Sequence, residues 1–134
     1  MKIPIIIFAL ALWFIVPEVV TLEDLKWKKR VVLFFPESDD FLMEVSDSLR
    51  VEIEIRDIIY FVIADSLQSN GKYLMEEAYI EALKKKYLLG AKDACWVLLG
   101  KDGGMKARYE APLDWHEALQ TVDDRNLRGE LVSW

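Results

Sequence analysis

One cysteine, one histidine and a short acidic loop are the residues of this 134-residue chain best equipped for chemistry. Cys95 stands at the entry to the apolar run Trp96 to Leu99. A thiol attacks or is oxidised as its thiolate, which needs exposure and a nearby cation such as Arg56 or Lys92. Inside an apolar strand the same thiol is an inert core residue. The buried reading is the expectation, and a single-cysteine, thiol peroxidase-like enzyme using Cys95 is the alternative. A lone cysteine excludes a CxxC redox pair, an intramolecular disulfide framework and a cysteine-rich zinc site. A lone histidine makes a His-based metal site or a Ser-His-Asp triad hard to assemble within one chain. His116 falls at the second position of a capped helix, beside its apolar stripe, and reads as a surface residue. No catalytic residue is expected beyond the Cys95 alternative, and no metal or cofactor.

Binding chemistry has three candidate places. Glu37-Ser38-Asp39-Asp40 follows an apolar strand; its carboxylates suit either the capping of a helix or a divalent-cation or substrate site. Ser38 has no obvious base beside it in the sequence and is not read as a nucleophile. Gly100-Lys101-Asp102-Gly103-Gly104 lacks the Gly-Lys-Ser/Thr ending of a phosphate loop and leads into a strand, so it reads as a turn. Lys26, Lys28, Lys29 and Arg30 around Trp27 form either a local anionic contact or a solvated lead-in to a buried strand. The expected ligand or partner contacts are Glu37, Ser38, Asp39, Asp40, Arg56, Lys101 and Asp102. A net charge of −6 argues against a broad nucleic-acid footprint.

The elements that must position these residues follow from apolar spacing. Val31 to Phe35, Ile58 to Ala64 and Trp96 to Leu99 are apolar without alternation, as in central parallel strands covered on both faces. Ser38 or Asp39 is expected to cap a helix reaching about Leu49, with Phe41, Leu42, Val45 and Leu49 on its apolar side. Met75, Ala78, Tyr79, Ala82 and Leu83 recur at helical spacing, with Gly90 as the stop. Lys101 to Gly104 predicts a hairpin whose Asp-Gly step takes positive φ angles. The returning strand, Met105 to Tyr109, alternates and suits a sheet edge. Asp114-Trp115-His116-Glu117 resembles a capping box, opening a helix with the stripe Trp115, Ala118, Leu119 and Val122. From Asp123 to Trp134 periodicity fades.

The order is β-α-β-α-β-β-α: parallel strands, then a hairpin, then a helix. It matches an α/β, three-layer thioredoxin-like fold with a mixed central sheet. Enzymes of that fold carry their reactive cysteines just after the first strand, at a helix amino terminus that lowers the thiol pKa. Here that place reads Phe35-Pro36-Glu37-Ser38-Asp39-Asp40-Phe41, and dithiol exchange is chemically unavailable.

The amino end reads as an address. Met1 and Lys2 precede an apolar run from Ile3 to Pro17, the pattern of a secretory signal peptide and short for a membrane span. No small-x-small cleavage site follows the run, since Ala9-Leu10-Ala11 lies inside it. An uncleaved anchor would prefer the Lys26 to Arg30 charges on the cytoplasmic side. Residues 1–22 are accordingly expected to be a signal peptide or anchor, with Glu18 to Asp24 as linker. A domain over 23–125 and a tail over 126–134 complete the organisation. The expected setting is periplasmic or secreted, with an unknown protein or extracellular partner and a possible membrane tether through residues 3–17.

Three stretches carry a family likeness: Leu25 to Phe35, Ile55-Arg56-Asp57, and Leu99 to Lys106 with its Gly-Lys-Asp-Gly-Gly-x-Lys motif. Together they resemble the thioredoxin-like domains of unknown function of exported bacterial proteins. These are related to the DUDES domains of eukaryotic extracellular-matrix and sushi-repeat proteins. The likeness spans about residues 24 to 125. It implies a fold and an exported compartment and brings no catalytic residues. Where relatives tend to carry Met-Pro-Met-Arg after the last helix, this chain has Asp124-Arg125-Asn126-Leu127-Arg128.

Overall fold

Three runs of branched and aromatic residues build the sheet, as their lack of alternation predicts. A computed structural model describes residues 16–129, with side chains through Asp124; the expected signal or anchor, up to Ile15, and Trp134 lie outside the described residues. Strands β2 (Arg30–Phe35), β3 (Ile58–Ile63) and β6 (Cys95–Leu99) are buried along nearly their whole length. With β4 (Leu67–Ser69) and β7 (Met105–Tyr109) they form one sheet in the order β4-β3-β2-β6-β7. The β2 and β3 strands run parallel, while β6 is antiparallel to β2 and β7 antiparallel to β6. The sheet is therefore mixed, and the third apolar run is antiparallel rather than parallel. Burial on both faces reports only that two layers cover a strand, not its direction.

Those layers are helical. Alternate side chains of β2, β3 and β6 point to opposite faces. On one face Leu33, Phe61 and Val97 pack with Leu25 of α1 (Leu22–Leu25) and Leu83 and Tyr87 of α3 (Glu77–Tyr87). On the other, Val32, Tyr60 and Trp96 pack with Ile53 of α2 (Asp47–Glu54) and with Ala118 and Val122 of α4 (Trp115–Gly129). The result is a three-layer α/β architecture compatible with a thioredoxin-like fold.

The first helix of the expected order begins later than its residues suggested. Ser38 to Val45 is not helical, and α2 is capped by Ser46, whose hydroxyl accepts from the Leu49 N–H at 3.2 Å. Phe41, Met43 and Val45 are half-buried while Leu42 is 73% exposed, a period of two rather than 3.6. Gln68 holds this extended segment, accepting from the Met43 N–H at 2.8 Å and donating to the Phe41 carbonyl at 2.6 Å. A long-range side chain thus supplies backbone partners that a helix would otherwise have provided.

Glu18 to Asp24 is likewise not a linker. Strand β1 (Glu18–Val19) pairs in parallel with β5 (Tyr73–Leu74), and Val20 is buried. The Leu22 N–H donates to the Tyr79 hydroxyl at 2.8 Å, tying α1 to α3. The α3 helix faces the core with Tyr79, Ile80, Leu83 and Tyr87, leaving Ala78 and Ala82 exposed. It stops where Leu89 and Gly90 take positive φ. At the other end Asp114 caps α4, accepting from the Glu117 N–H at 3.2 Å, and the helix continues through Gly129 past the fading of its stripe.

Candidate functional site

The sheet has two ends, and the candidate residues divide between them. At the carboxyl end of β2 lie Pro36 to Asp40 and, opposite Phe35 in register, Cys95. Glu37, Ser38, Asp39 and Asp40 are exposed. The expected helix amino terminus is absent there, because α2 starts at Asp47, so these carboxylates cap nothing. Their contacts are to one another and to the β3–β4 loop. The Ser38 hydroxyl donates to Asp40, and the Asp39 carbonyl accepts from the Asp65 N–H at 3.1 Å. An open groove of about 240 Å³ runs past Pro36, Asp39, Ala64, Asp65 and Lys92. Among the described residues no group of three His, Cys, Asp or Glu side chains converges on a metal-sized site.

Cys95 is wholly buried, and that burial pushes its thiol above the ordinary range. A raised pKa leaves less thiolate near neutrality, the opposite of what a reactive cysteine needs. The cation that opposes the shift is Arg108 rather than Arg56 or Lys92. Arg108 itself is engaged: its Nε donates to the Tyr87 carbonyl at 2.8 Å, and Nη2 reaches the Leu88 carbonyl and Glu110. It closes the carboxyl end of α3, where a positive charge is favoured by the helix dipole. Sequence reasoning missed this role because β7 and α3 meet only in the fold. His116 is exposed on α4, as its position off the stripe implied.

The opposite end gathers the other candidates. The backbone leaves α2 through Asp57, which sits at φ 54° and turns the chain into β3. Asp tolerates this left-handed conformation better than most side chains. The Asp57 carbonyl accepts from the Arg30 N–H at 2.8 Å, setting the start of β2 beside β3. Its carboxylate accepts from Lys101 Nζ at 2.9 Å and lies 3.6 Å from Lys29 Nζ. The Lys101 hydrogen bond, reinforced by the charge of Lys29, holds the Asp57 carboxyl below the usual range.

The 100–104 turn docks on the same place. The Lys101 carbonyl accepts from the Trp27 N–H at 2.6 Å. Only Gly103 of the turn has positive φ, at 82°. Asp102 instead accepts from the Gly104 N–H and from Lys106 Nζ, both at 2.9 Å. The Gly104 hydrogen bond first, then Lys106, depress the Asp102 carboxyl. Arg56 turns toward α4: its Nε and Nη2 grip the Asp123 carboxylate at 2.8 and 2.9 Å, and Nη1 binds Glu52 at 2.7 Å. These bonds raise the Arg56 pKa and lower that of Asp123. Arg56, Lys101 and Asp102 therefore lie at one end of the sheet, apart from Glu37 to Asp40.

This end unites all three stretches that carry the family likeness, through Trp27 to Lys101, Arg30 to Asp57 and Lys101 to Asp57. A family described as a domain of unknown function, DUF4174, matches residues 21–130. The chain belongs to the DUF4174 family. The match begins at Thr21, the residue that caps α1, and so takes in every helix of the described DUF4174 domain. No curated protein matches the chain. The chemistry available where the motifs converge is charge and stacking: lysines, carboxylates, a guanidinium and an indole can bind and orient, but the cluster has no thiol or imidazole with which to attack.

Proposed function

We propose that this DUF4174 domain is a non-catalytic binding or accessory module, working in an exported setting on a thioredoxin-like scaffold that lacks the dithiol. The observation that carries the reading is the burial of Cys95, the sole cysteine, with its thiol pKa raised. Residues Pro36 to Asp40 occupy the place where such a scaffold would carry its reactive pair, and they offer no sulfur. The three stretches resembling DUDES-type domains support the same assignment, as does their convergence on a cluster built for contact rather than attack.

The test is the pH dependence of Cys95 alkylation in folded and unfolded protein, run beside a disulfide reductase assay. The module reading expects protection in the folded state, release on unfolding, and no reductase turnover. Rapid labelling of the folded protein near neutral pH, with a thiol pKa well below about 8.5, would overturn it in favour of a thiol enzyme.

A further inference from the structure

Beside α2 lies an open groove of about 360 Å³, within the range of small-molecule sites. No residue of the Asp57–Lys101 cluster lines it. Met43, Val45 and Ile53 give it an apolar wall. Its charged and hydroxyl groups are Tyr60 of β3 with Arg50 and Glu54 of α2. Tyr60 is only 9% exposed, yet its hydroxyl has no hydrogen-bond partner among the described residues. Burial raises the pKa of that phenol, with the charge of Arg50 opposing, so it is a donor that lacks an acceptor. Arg50 and Glu54 stand one helical turn apart, a spacing at which opposite charges can pair, but they do not pair with each other. Arg50 reaches the almost fully exposed Asp47 at 3.4 Å, a contact of little worth in water. The Glu54 carboxylate has no partner among the described residues. Two amides hold the groove in shape. Asn70 accepts from the Tyr60 N–H and donates to the Ile58 carbonyl, both at 2.9 Å, and Gln68 fixes Phe41 and Met43. A site held in shape beforehand loses less on binding.

We propose that this groove binds a free α-amino acid with an apolar side chain. Resting on the module reading, the assignment adds a ligand class at a separate place. The ligand carboxylate accepts from the Tyr60 hydroxyl and meets the charge of Arg50. Its ammonium faces Glu54, and its side chain lies on Met43, Val45 and Ile53. Hydrogen bonds to an ionised acceptor are roughly twice as strong as neutral ones, so the phenol favours a carboxylate over an amide. A plain carboxylate would leave Glu54 opposing it. A plain amine would leave the phenol without an acceptor and would be repelled by Arg50. A molecule carrying both charges close together answers all three groups. A second groove, of about 480 Å³, shares Met43 and Tyr60 and adds Leu67 and Leu74, which gives room for a side chain as large as that of phenylalanine.

The experiment is isothermal titration of the full chain with phenylalanine, leucine, N-acetylphenylalanine and phenylalaninamide. Phenylalanine or leucine should bind, and each phenylalanine analogue, missing one charge, should bind about tenfold more weakly than phenylalanine. Tyr60→Phe keeps the ring that packs edge-on with Trp115 at 5.5 Å and should weaken amino-acid binding about tenfold. Glu54→Gln should erase the preference for phenylalanine over its N-acetyl form while keeping the preference over the amide. Melting curves confirm that both variants fold. No binding of either amino acid at millimolar concentration overturns the proposal. Equal binding of phenylalanine and N-acetylphenylalanine also overturns it, and makes the groove a plain carboxylate site. Wild-type binding by both variants overturns it by placing the ligand elsewhere. None of these outcomes moves the alkylation of Cys95, so a failed ligand site and a failed module reading remain distinguishable.

Discussion

The two ends of the central sheet differ in how they use their charged residues. At the carboxyl end of β2, Ser38 bonds to Asp40 and the Asp39 carbonyl to Asp65 of the β3–β4 loop, and Cys95 is sealed below them. At the amino end, Lys29, Arg56, Asp57 and Lys101 bind across segments distant in sequence, and two non-glycine residues hold left-handed backbone. Thioredoxin-like enzymes put chemistry at the first of these ends. In this chain the exposed acids at the first end form few side-chain bonds, whereas ion pairs at the second join segments distant in sequence; left-handed non-glycine backbone occurs at both, at Leu89 beside the first and at Trp27 and Asp57 in the second. A scaffold can keep its layers while the place of interest moves, because the core and the site are made of different residues.

The comparison breaks most readily at Arg56. Its guanidinium joins the end of α2 to α4 through a bidentate bond to Asp123, and its side chain is only 18% exposed. Arg56→Ala should lower unfolding free energy by about 2–3 kcal/mol, the scale of hydrogen bonds to charged groups, as read by urea denaturation. A cost within about 0.5 kcal/mol, that of an ordinary surface substitution, would mean that the amino end is no more tightly built than the carboxyl end.

Trp27 sharpens the contrast with the opposite sign. Glycine removes the left-handed penalty, and little burial is lost at so exposed a position. Trp27→Gly should therefore raise stability by about 1 kcal/mol, visible as a higher denaturation midpoint. A clear loss would show that the indole packs onto the domain and is not held out for contact.

The smallest effect is electrostatic. The Asp57 carboxyl is depressed by Lys101 and Lys29, so the folded state binds its proton less readily than the unfolded chain. Its contribution is full above the unfolded value of about 3.9 and fades as pH falls through the lower folded value. Asp57→Asn keeps the left-handed backbone and removes that contribution, costing less than about 1 kcal/mol at neutral pH for so exposed a pair. Across the acid range the variant should lose stability with a shallower slope than the wild type. Identical slopes would mean that Asp57 carries none of the acid sensitivity.

Much of this was legible in the residues themselves. The three buried strands, the hairpin, the edge strand β7, the stripe and cap of α4 and the stop at Gly90 each follow from local pattern or turn chemistry. The helix expected from Ser38 to Leu49 did not, because Phe41, Leu42, Val45 and Leu49 fit a helical stripe while Phe41, Met43 and Val45 fit an extended one. Gln68, distant in sequence, decided between them. The linker expected from Glu18 to Asp24 became β1 and most of α1 for the same reason: two-residue pairing with β5 has no local signal. Of the site, Arg56, Lys101 and Asp102 were named from sequence, but their separation from Glu37 to Asp40 was not.

Composition and pattern alone determined that the chain has one thiol and no dithiol, an α/β layered core and an acidic net charge, since these depend on residue type and short-range spacing. Tertiary structure alone decided that Cys95 is sealed, that β6 runs antiparallel to β2, and that Trp27, Asp57 and Lys101 share one end of the sheet. Burial, strand direction and ion pairing across dozens of residues are properties of the closed chain, and no window of local sequence contains them.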